Sequence, residues 1–182
     1  MPKKSFKIIS DPQVPEHFKF QHKNLILETV CIDDLEQLRA WKNENRQYFF
    51  NKNVISRDDQ AKWFNDFSKR EDDYIFMVKY GNLNIGCIGF RLLSDIVDVY
   101  NVIIGNKQYL SKGIMSFVLA LMCSFIFDNY KNDITVRVLL DNPARKWYVK
   151  NNFFEICEKE DHVFMKLDVG KFKYLKYNVR AN

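Results

Sequence analysis

Residues 99–127 constrain the fold more than any other part of this chain, because they join an apolar run, a short polar loop and a long apolar segment. The run over residues 99–105 is typical of a strand. The segment over residues 113–127 is typical of a buried helix. The loop between them contains Gln108, Ser111, Lys112 and Gly113. We therefore predict a strand, a tight polar loop and the start of a helix.

This junction is also a candidate anion site. The first turn of a helix leaves backbone N–H groups without partners and carries the positive end of the helix dipole, so a phosphate is favoured there. Lys112 adds a positive charge, Gly113 lets backbone and ligand approach closely, and Ser111 is small enough to cap the helix. An ordinary strand–loop–helix junction is the alternative. The two common nucleotide loops, GxGxxG and GxxxxGK[ST], are both absent.

The rest of the composition is that of one well-packed domain. Hydrophobic residues make up 47% of the 182 residues and include 16 Phe, which is enough for a sizeable core. We expect residues 24–168 to form the domain and residues 1–23 to form an arm packed on its edge. Residues 169–182 are a basic tail, which suits either a solvated extension, the interpretation we favour, or a contact with nucleic acid or an anionic surface.

The cysteines and histidines argue against disulfides and metal ligation. The four cysteines are far apart in apolar surroundings, which predicts buried thiols in a reducing cytoplasm. The three histidines have no ligand spacing such as HExxH, so we expect no metal. The N-terminus lacks the apolar stretch of a signal peptide, and residues 113–127 fall short of the roughly 20 apolar residues that cross a bilayer.

Hydrophobic periodicity and capping signals predict a mixed order of strands and helices. A capping box at Asp33 and Glu36 indicates one helix, and Ser56 with Asp59 indicates a second. The two remaining helices cover residues 111–129 and a segment that begins at Asn142. The predicted strands cover residues 25–31, 74–80, 83–92, 96–104, 134–140, 153–157 and 162–167.

Three motifs resemble signatures of the GNAT acetyltransferases, and in order and spacing the likeness covers roughly residues 25–168. The loop Gln108-x-x-Ser111-x-Gly113 resembles the family's Q/R-x-x-G-x-G/A loop, which cradles the pyrophosphate of coenzyme A. Residues 142–153 are similar to a second signature, N-x-x-A-x-x-x-Y-x-K-x-G-F. Residues 77–90 resemble the strand pair that precedes the cofactor strand.

Two residues depart from these signatures. Ser111 and Asn152 stand where the family has glycine. If these positions need φ > 0, serine is penalised by roughly 1 kcal/mol and asparagine by less.

The resemblance implies both a fold and a reaction. The fold is mixed α/β, with a central, twisted, mostly antiparallel sheet of about seven strands, four flanking helices and the cofactor at a splayed pair of strands. The reaction is direct transfer of an acetyl group from acetyl-coenzyme A to a primary amine, without a metal. Sheet edges in this fold often pair between subunits, so a homodimer is an expectation.

The resemblance also implies a cofactor site made of a strand edge, a loop and the last helix. The strand edge, which would pair with the pantetheine arm, consists of Val102, Ile103 and Ile104. The loop and helix start, whose amides would hold the pyrophosphate, consist of Gln108, Ser111, Lys112, Gly113, Ile114 and Met115. The last helix contributes Asn142, Lys146, Tyr148 and Lys150. Its asparagine would hydrogen-bond the pantetheine or cap the helix, and its lysines would reach the nucleotide phosphates or lie on solvated surface.

Two residues are the catalytic candidates. Tyr148 matches the family tyrosine that protonates the leaving sulfur, and a phenol with a reference pKa of about 10 suits a thiolate with a pKa of about 8.5. The alternative for Tyr148 is an aromatic residue on the inner face of the last helix. Asp98 is the acidic residue well inside the cofactor strand, so it is the candidate base, with a water chain or a backbone carbonyl as alternatives.

The acceptor is expected to lie against the first two helices. The pattern there resembles the family branch that acts on nucleotide-linked amino sugars, in which Arg46, Trp63 and Tyr100 would meet a phosphate, a base or a sugar face. Basic residues outnumber acidic ones in this region, which favours an anionic acceptor. A protein N-terminus or another small amine is the second acceptor class. A non-catalytic coenzyme A or nucleic-acid binding module on the same fold is the remaining alternative.

Overall fold

The computed structural model describes residues 5–11 and 24–181. The strands are β1 (Phe6–Ser10), β2 (Leu25–Thr29), β3 (Asp73–Tyr80), β4 (Leu83–Leu92), β5 (Ile96–Ile104), β6 (Asp133–Leu139), β7 (Phe153–Glu158), β8 (His162–Leu167) and β9 (Tyr177–Ala181). The helices are α1 (Leu35–Glu44), α2 (Arg57–Phe67), α3 (Ile114–Asn129) and α4 (Ala144–Lys150). None of these helices is long and apolar enough to cross a membrane.

The strands form one sheet in the order β7-β8-β6-β5-β4-β3-β2-β1-β9. The pair β5–β6 is parallel, and every other neighbouring pair in the described chain is antiparallel. The predicted fold class, a mixed and mostly antiparallel sheet with four helices, is therefore confirmed. The described chain contains nine strands rather than about seven.

The two additional strands come from the chain ends. β1 pairs with β2 on one side and with β9 on the other. Part of the predicted arm is thus a strand, while residues 1–4 and 12–23 lie outside the described residues. The basic tail, expected to be a solvated extension, ends in a strand: Tyr177–Ala181 pair with β1 and are mostly exposed, and Leu175 before them is buried. The hydroxyls of Tyr174 and Tyr177 also donate to Asp128 at the end of α3.

The sheet buries a large core under α3 and α4 and a smaller one under α1. Ten residues of α3 are buried, which matches the prediction of a core helix. On the opposite face Leu38, Trp41, Met77, Cys87 and Ile103 form the second cluster. Cys87 and Cys123 are buried as predicted. Cys31 and Cys157 are exposed instead, because Cys31 precedes a helical turn and Cys157 lies on the edge strand β7.

The parallel pair β5–β6 parts at Val99. Residues Ile96–Val99 pair with Asp133–Val136, and no further pairing of these two strands occurs in the described chain. A bulge lies just beyond, since Cys87 pairs with Ile103 while Gly89 pairs with Tyr100. Asn101, inside the bulge, has φ of 51°. The end of β5 therefore keeps β4 as its neighbour but leaves its other edge unpaired.

The predicted capping box forms at α2, whereas at α1 the box is made by other residues, about two positions earlier in the chain. At α2 the Ser56 hydroxyl accepts the Asp59 amide at 3.1 Å, and the Asp59 carboxylate accepts the Ser56 amide at 3.2 Å. At α1 the expected box of Asp33 and Glu36 does not form. Asp34 instead accepts the amide of Cys31 at 3.0 Å, so the helix entry begins about two residues earlier.

The close packing of Gly105 against Trp41 provides a stability test. A Cβ at Gly105 would overlap the indole ring of Trp41, which anchors α1 on the end of β5. We expect Gly105→Ala to lower the free energy of unfolding by about 1–3 kcal/mol, because overpacking must displace α1. Urea unfolding monitored by tryptophan fluorescence measures the loss. Gly170→Ala is the matched control, since its Cβ approaches only the tip of Asp168, and a change within about 0.5 kcal/mol is expected.

Candidate active site

A cavity of about 530 Å³ opens where β5 and β6 part. Its wall is formed by residues 98–104 of β5, by residues 137–138 of β6 and by the start of α4. The opposite wall is formed by α1, α2 and the loop between them. The cavity therefore lies where the sequence predicts that cofactor and acceptor meet.

The predicted strand edge and the candidate catalytic residues all line this cavity. Val102, Ile103 and Ile104 contribute the unpaired edge of β5. Tyr148 and Asp98 face the same space from α4 and β5. The predicted acceptor residues also line it, namely Arg46, Trp63 and Tyr100.

The loop between β5 and α3 is longer than predicted, because the helix expected from Ser111 begins at Ile114 and Gly113 rather than Ser111 occupies its N-cap position. Ser111 has φ of 58° and Gly113 has φ of 76°, so both occupy the left-handed region. The amide of Phe117 makes the first helical hydrogen bond of α3, to the Gly113 carbonyl at 3.3 Å. The amides of Ile114 and Met115 precede that bond and lack helical partners. An exposed loop, a helix start and the Lys112 ammonium thus lie together beside the cavity, an arrangement that suits an anion.

The remaining predicted cofactor residues lie outside the cavity or are engaged within the protein. Gln108, Lys146 and Lys150 are exposed. Asn142 accepts the amide of Ala144 at 2.9 Å and donates to the carbonyl of Tyr48 at 3.2 Å. Of the two roles considered for Asn142, helix capping is the one seen here, and its second bond joins α4 to the loop after α1.

Tyr148 is enclosed by aromatic rings. Its exposed fraction is 6%, and the rings of Trp147 and Phe153 pack against it at 4.9 and 5.5 Å between centroids. Burial raises the pKa of Tyr148 well above that of a free phenol. The hydroxyl therefore stays protonated through the neutral range, as a proton donor must.

Two arginine side chains converge on the buried carboxylate of Asp98. Arg137 donates to Asp98 Oδ2 at 2.9 Å, and Arg91 Nε lies 3.4 Å from the same oxygen. The Arg91 guanidinium also lies 4.1 Å from the centroid of the Tyr100 ring. Asp98 is 2% exposed. The Asp98 carboxylate therefore holds two guanidinium groups at the cavity floor.

Tyr100 belongs to a second charged cluster. Its hydroxyl donates to Asp73, and Arg70 donates to the other oxygen of Asp73 at 3.0 Å. Burial and the Asp73 carboxylate raise the pKa of Tyr100, so the phenol remains a donor. Asp73 is thus matched by one arginine, whereas Asp98 is matched by two.

The wall opposite β5 combines aromatic rings with cations. Trp63 stacks on Phe67 of the same helix with centroids 4.9 Å apart, and it also packs against the smaller core cluster under α1. The Lys42 ammonium lies 5.6 Å from the centroid of Phe49 and 5.9 Å from that of Trp63. Burial lowers the pKa of Lys42.

Sequence reasoning missed the residues of the cavity floor. Arg91, Arg137 and Asp73 lie in strands that otherwise bury apolar side chains, and Asn101 interrupts β5. A charged residue within an apolar strand needs a partner or a ligand, and this signal was available in the sequence.

Comparison with known proteins identifies the family. A family model described as an acetyltransferase (GNAT) domain matches residues 24–149. No curated protein matches the chain in sequence.

Solved structures share the fold. Spermidine N-acetyltransferase from Vibrio cholerae, in complex with CoA and spermine, is 20% identical with a TM-score of 0.70, covering 82% of this chain and 98% of that chain. N-acetyltransferase PseH from Campylobacter jejuni, in complex with acetyl coenzyme A, is 17% identical with a TM-score of 0.61, covering 79% and 97%. FdhC, a nucleotide-linked sugar GNAT, is 14% identical with a TM-score of 0.69, covering 94% and 92%.

The left-handed conformation of Ser111 predicts a stabilising substitution. Ser111→Gly removes a strain of about 1 kcal/mol, and the greater freedom of glycine in the unfolded chain offsets part of the gain. We expect the free energy of unfolding to rise by up to about 1 kcal/mol, measured by urea denaturation. Lys112→Gly is the control, because Lys112 has an ordinary backbone conformation and its change should destabilise by about 0.4–1 kcal/mol. Equal losses in both variants would show that Ser111 is unstrained.

Proposed function

Because this chain belongs to the GNAT family of acyl-CoA-dependent N-acetyltransferases, we propose that it acetylates the primary amine of an anionic small molecule, namely a nucleotide-linked amino sugar, with acetyl-coenzyme A as donor. The charge of the cavity carries this proposal. Among its lining residues in the described chain, five are basic and two are acidic, and arginines neutralise both acids. The basic residues are Lys42, Arg46, Arg70, Arg91 and Arg137.

This charge distinguishes between the acceptor classes of similar structures. A polyamine such as the spermine bound by the Vibrio cholerae enzyme is a polycation, and a basic cavity repels it. A nucleotide-linked sugar, the class named for FdhC, carries phosphate charge that a basic cavity attracts. The aromatic rings of Trp63 and Phe49 offer flat surfaces for a sugar or a base.

The described residues fit coenzyme A at two points. The free edge of β5 at Val102–Ile104 can pair with the amides of the pantetheine arm as an added strand would. The loop amides and Lys112 suit the pyrophosphate. Bound there, acetyl-coenzyme A supplies the activated acetyl group.

The transfer forms one C–N bond and breaks one C–S bond. The neutral amine attacks the thioester carbonyl, which the amides of the β5 edge are suited to polarise. The leaving thiolate takes a proton from the Tyr148 hydroxyl, and the amine gives up one proton. Asp98 stays the predicted acceptor of that proton, reached through a water chain, because it lies four residues along β5 from the strand edge that would hold the thioester. Its two arginine contacts both involve Oδ2.

The proposed reaction is tested by comparing acceptors. With acetyl-coenzyme A in excess, we expect thiol release with a UDP-linked amino sugar and none above background with spermidine. Tyr148→Phe should lower kcat about 100-fold or more while the Kd for acetyl-coenzyme A is unchanged, because the loss falls on protonation of the leaving sulfur. Preference for spermidine would reject the anionic acceptor, and unchanged turnover in Tyr148→Phe would reject the proton donor.

The donor site is tested separately by calorimetric titration with acetyl-coenzyme A. We expect micromolar binding that Ser111→Asp abolishes, because a carboxylate would repel the pyrophosphate from the loop. Ser111→Gly is the matched control and should retain binding. If the folded protein fails to bind acetyl-coenzyme A, the transferase proposal fails and a non-catalytic role on this fold takes its place.

A further inference from the structure

We infer that Arg91 and Arg137, bridged by Asp98, form the subsite that binds the phosphate groups of the acceptor. This inference rests on the proposed function, since it names the part of the cavity that recognises an anionic acceptor. No residue of this cluster belongs to the cofactor motifs. The evidence is the charge balance, the free donors and the position of the cluster relative to the reacting end of the cavity.

Of the two carboxylates in the described cavity floor, only Asp98 has more positive partners than it has charge to balance. Asp73 has one guanidinium partner, Arg70, whereas Asp98 has two. Two guanidinium groups on one buried carboxylate leave an excess positive charge beside a low-dielectric wall. Water solvates this charge, since both arginine side chains are about one-third exposed, and a ligand that displaces the water must bring an anion in its place. The excess therefore favours an anionic ligand.

The free donors point the same way. A guanidinium carries five N–H donors in a fixed fork. Arg137 uses one of them on Asp98, and Arg91 turns its buried Nε toward Asp98, so the other N–H groups of both side chains are left for a ligand. Both side chains remain about one-third exposed and line the cavity. Phosphate oxygens match this fork in a bidentate manner, which makes arginine pairs suited to phosphate recognition.

Contacts within the protein hold both guanidinium groups in place. The Arg91 guanidinium stacks on the Tyr100 ring, which Asp73 orients through the phenol. The Arg137 guanidinium lies 5.8 Å from the centroid of Phe50. Asp98 joins the two groups from below. Little side-chain entropy is therefore lost when an anion binds, which favours affinity.

The position of the cluster selects the kind of acceptor. Arg91 pairs across the sheet with Asp98, three residues before the bulge at Asn101 and four before the strand edge that would hold the thioester. At the rise of a strand the backbone of Asp98 lies roughly 10 Å or more from that strand edge. An α-amino acid holds its amine and carboxylate on one carbon and cannot span that distance. An amino sugar can, because its ring separates the amine from a diphosphate on the opposite side.

Calorimetry with UDP as the probe tests the subsite. The titration is made in saturating coenzyme A, so that the loop beside α3 is filled and UDP phosphates cannot bind there. We expect UDP to bind the wild-type protein and uridine not to bind. Arg91→Lys and Arg137→Lys should each weaken UDP binding at least 10-fold, because lysine keeps the charge but loses the fork. Arg180→Lys, on the distant edge strand β9, is the matched control and should bind UDP as the wild type does.

The outcomes separate this inference from the proposed function. With the UDP-linked amino sugar, the two lysine variants should raise KM with little change in kcat, and their affinity for acetyl-coenzyme A should be unchanged. Wild-type affinity for UDP in both variants, or no UDP binding by the wild type, overturns the subsite. Arginine-dependent UDP binding without acetyl transfer keeps the subsite and rejects the UDP-linked amino sugar as the acceptor. Thermal unfolding of each variant identifies any loss that comes from misfolding.

Discussion

The separation of β5 from β6 beyond Val99 is the feature on which the cavity depends. Parallel strands normally continue to pair, so some constraint must hold them apart. On one side of β5 the bulge at Asn101 breaks the register with β4, and its carbonyl accepts the Cys87 thiol at 3.2 Å. At the end of β5 the indole of Trp41 lies directly on Gly105, which holds the strand against α1. The strand therefore follows β4 and α1 and leaves β6.

Opening the sheet exposes charged groups that a closed sheet could not accommodate. Asp98 lies in the last stretch where β5 and β6 pair, and Arg137 follows that pairing directly. At this point the backbone is still ordered by hydrogen bonds, and the Arg137 side chain reaches the cavity while Asp98 stays buried beneath it. Rigid backbone beneath a cluster of charges is a preorganised arrangement, which is what recognition of a phosphate requires. The geometry of the sheet and the charge of the site thus have one origin.

The sequence predicted the structure best where interactions between residues close together in the chain determine it. The loop motif predicted the turn into α3. The family's glycine positions, occupied here by Ser111 and Asn152, have positive φ angles of 58° and 66°. The capping box of Ser56 and Asp59 formed because both partners lie within one turn. Tyr148 reached the cavity because α4 presents it on its inner face. Each of these follows from residues close together in the chain.

Features that depend on distant residues were not predictable in the same way. β1 and β9 pair across almost the whole length of the chain, and the lysines near β9 suggested a solvated tail instead. The convergence of Arg91 and Arg137 on Asp98 needs the register of three strands, which periodicity within each strand does not supply. The exposed thiols of Cys31 and Cys157 depend on which strands and turns lie at the surface.

Asn142 shows why the donor and acceptor regions are built as one unit. Its carbonyl oxygen caps the start of α4, and its amide donates to Tyr48 in the loop that faces the acceptor. Asn43 holds the other end of that loop, with bonds to the carbonyl and the amide of Ile55 at 2.9 and 2.8 Å. The loop between α1 and α2 is therefore tied both to its own helix and to the helix that carries Tyr148. These bonds fix the position of the acceptor wall relative to Tyr148.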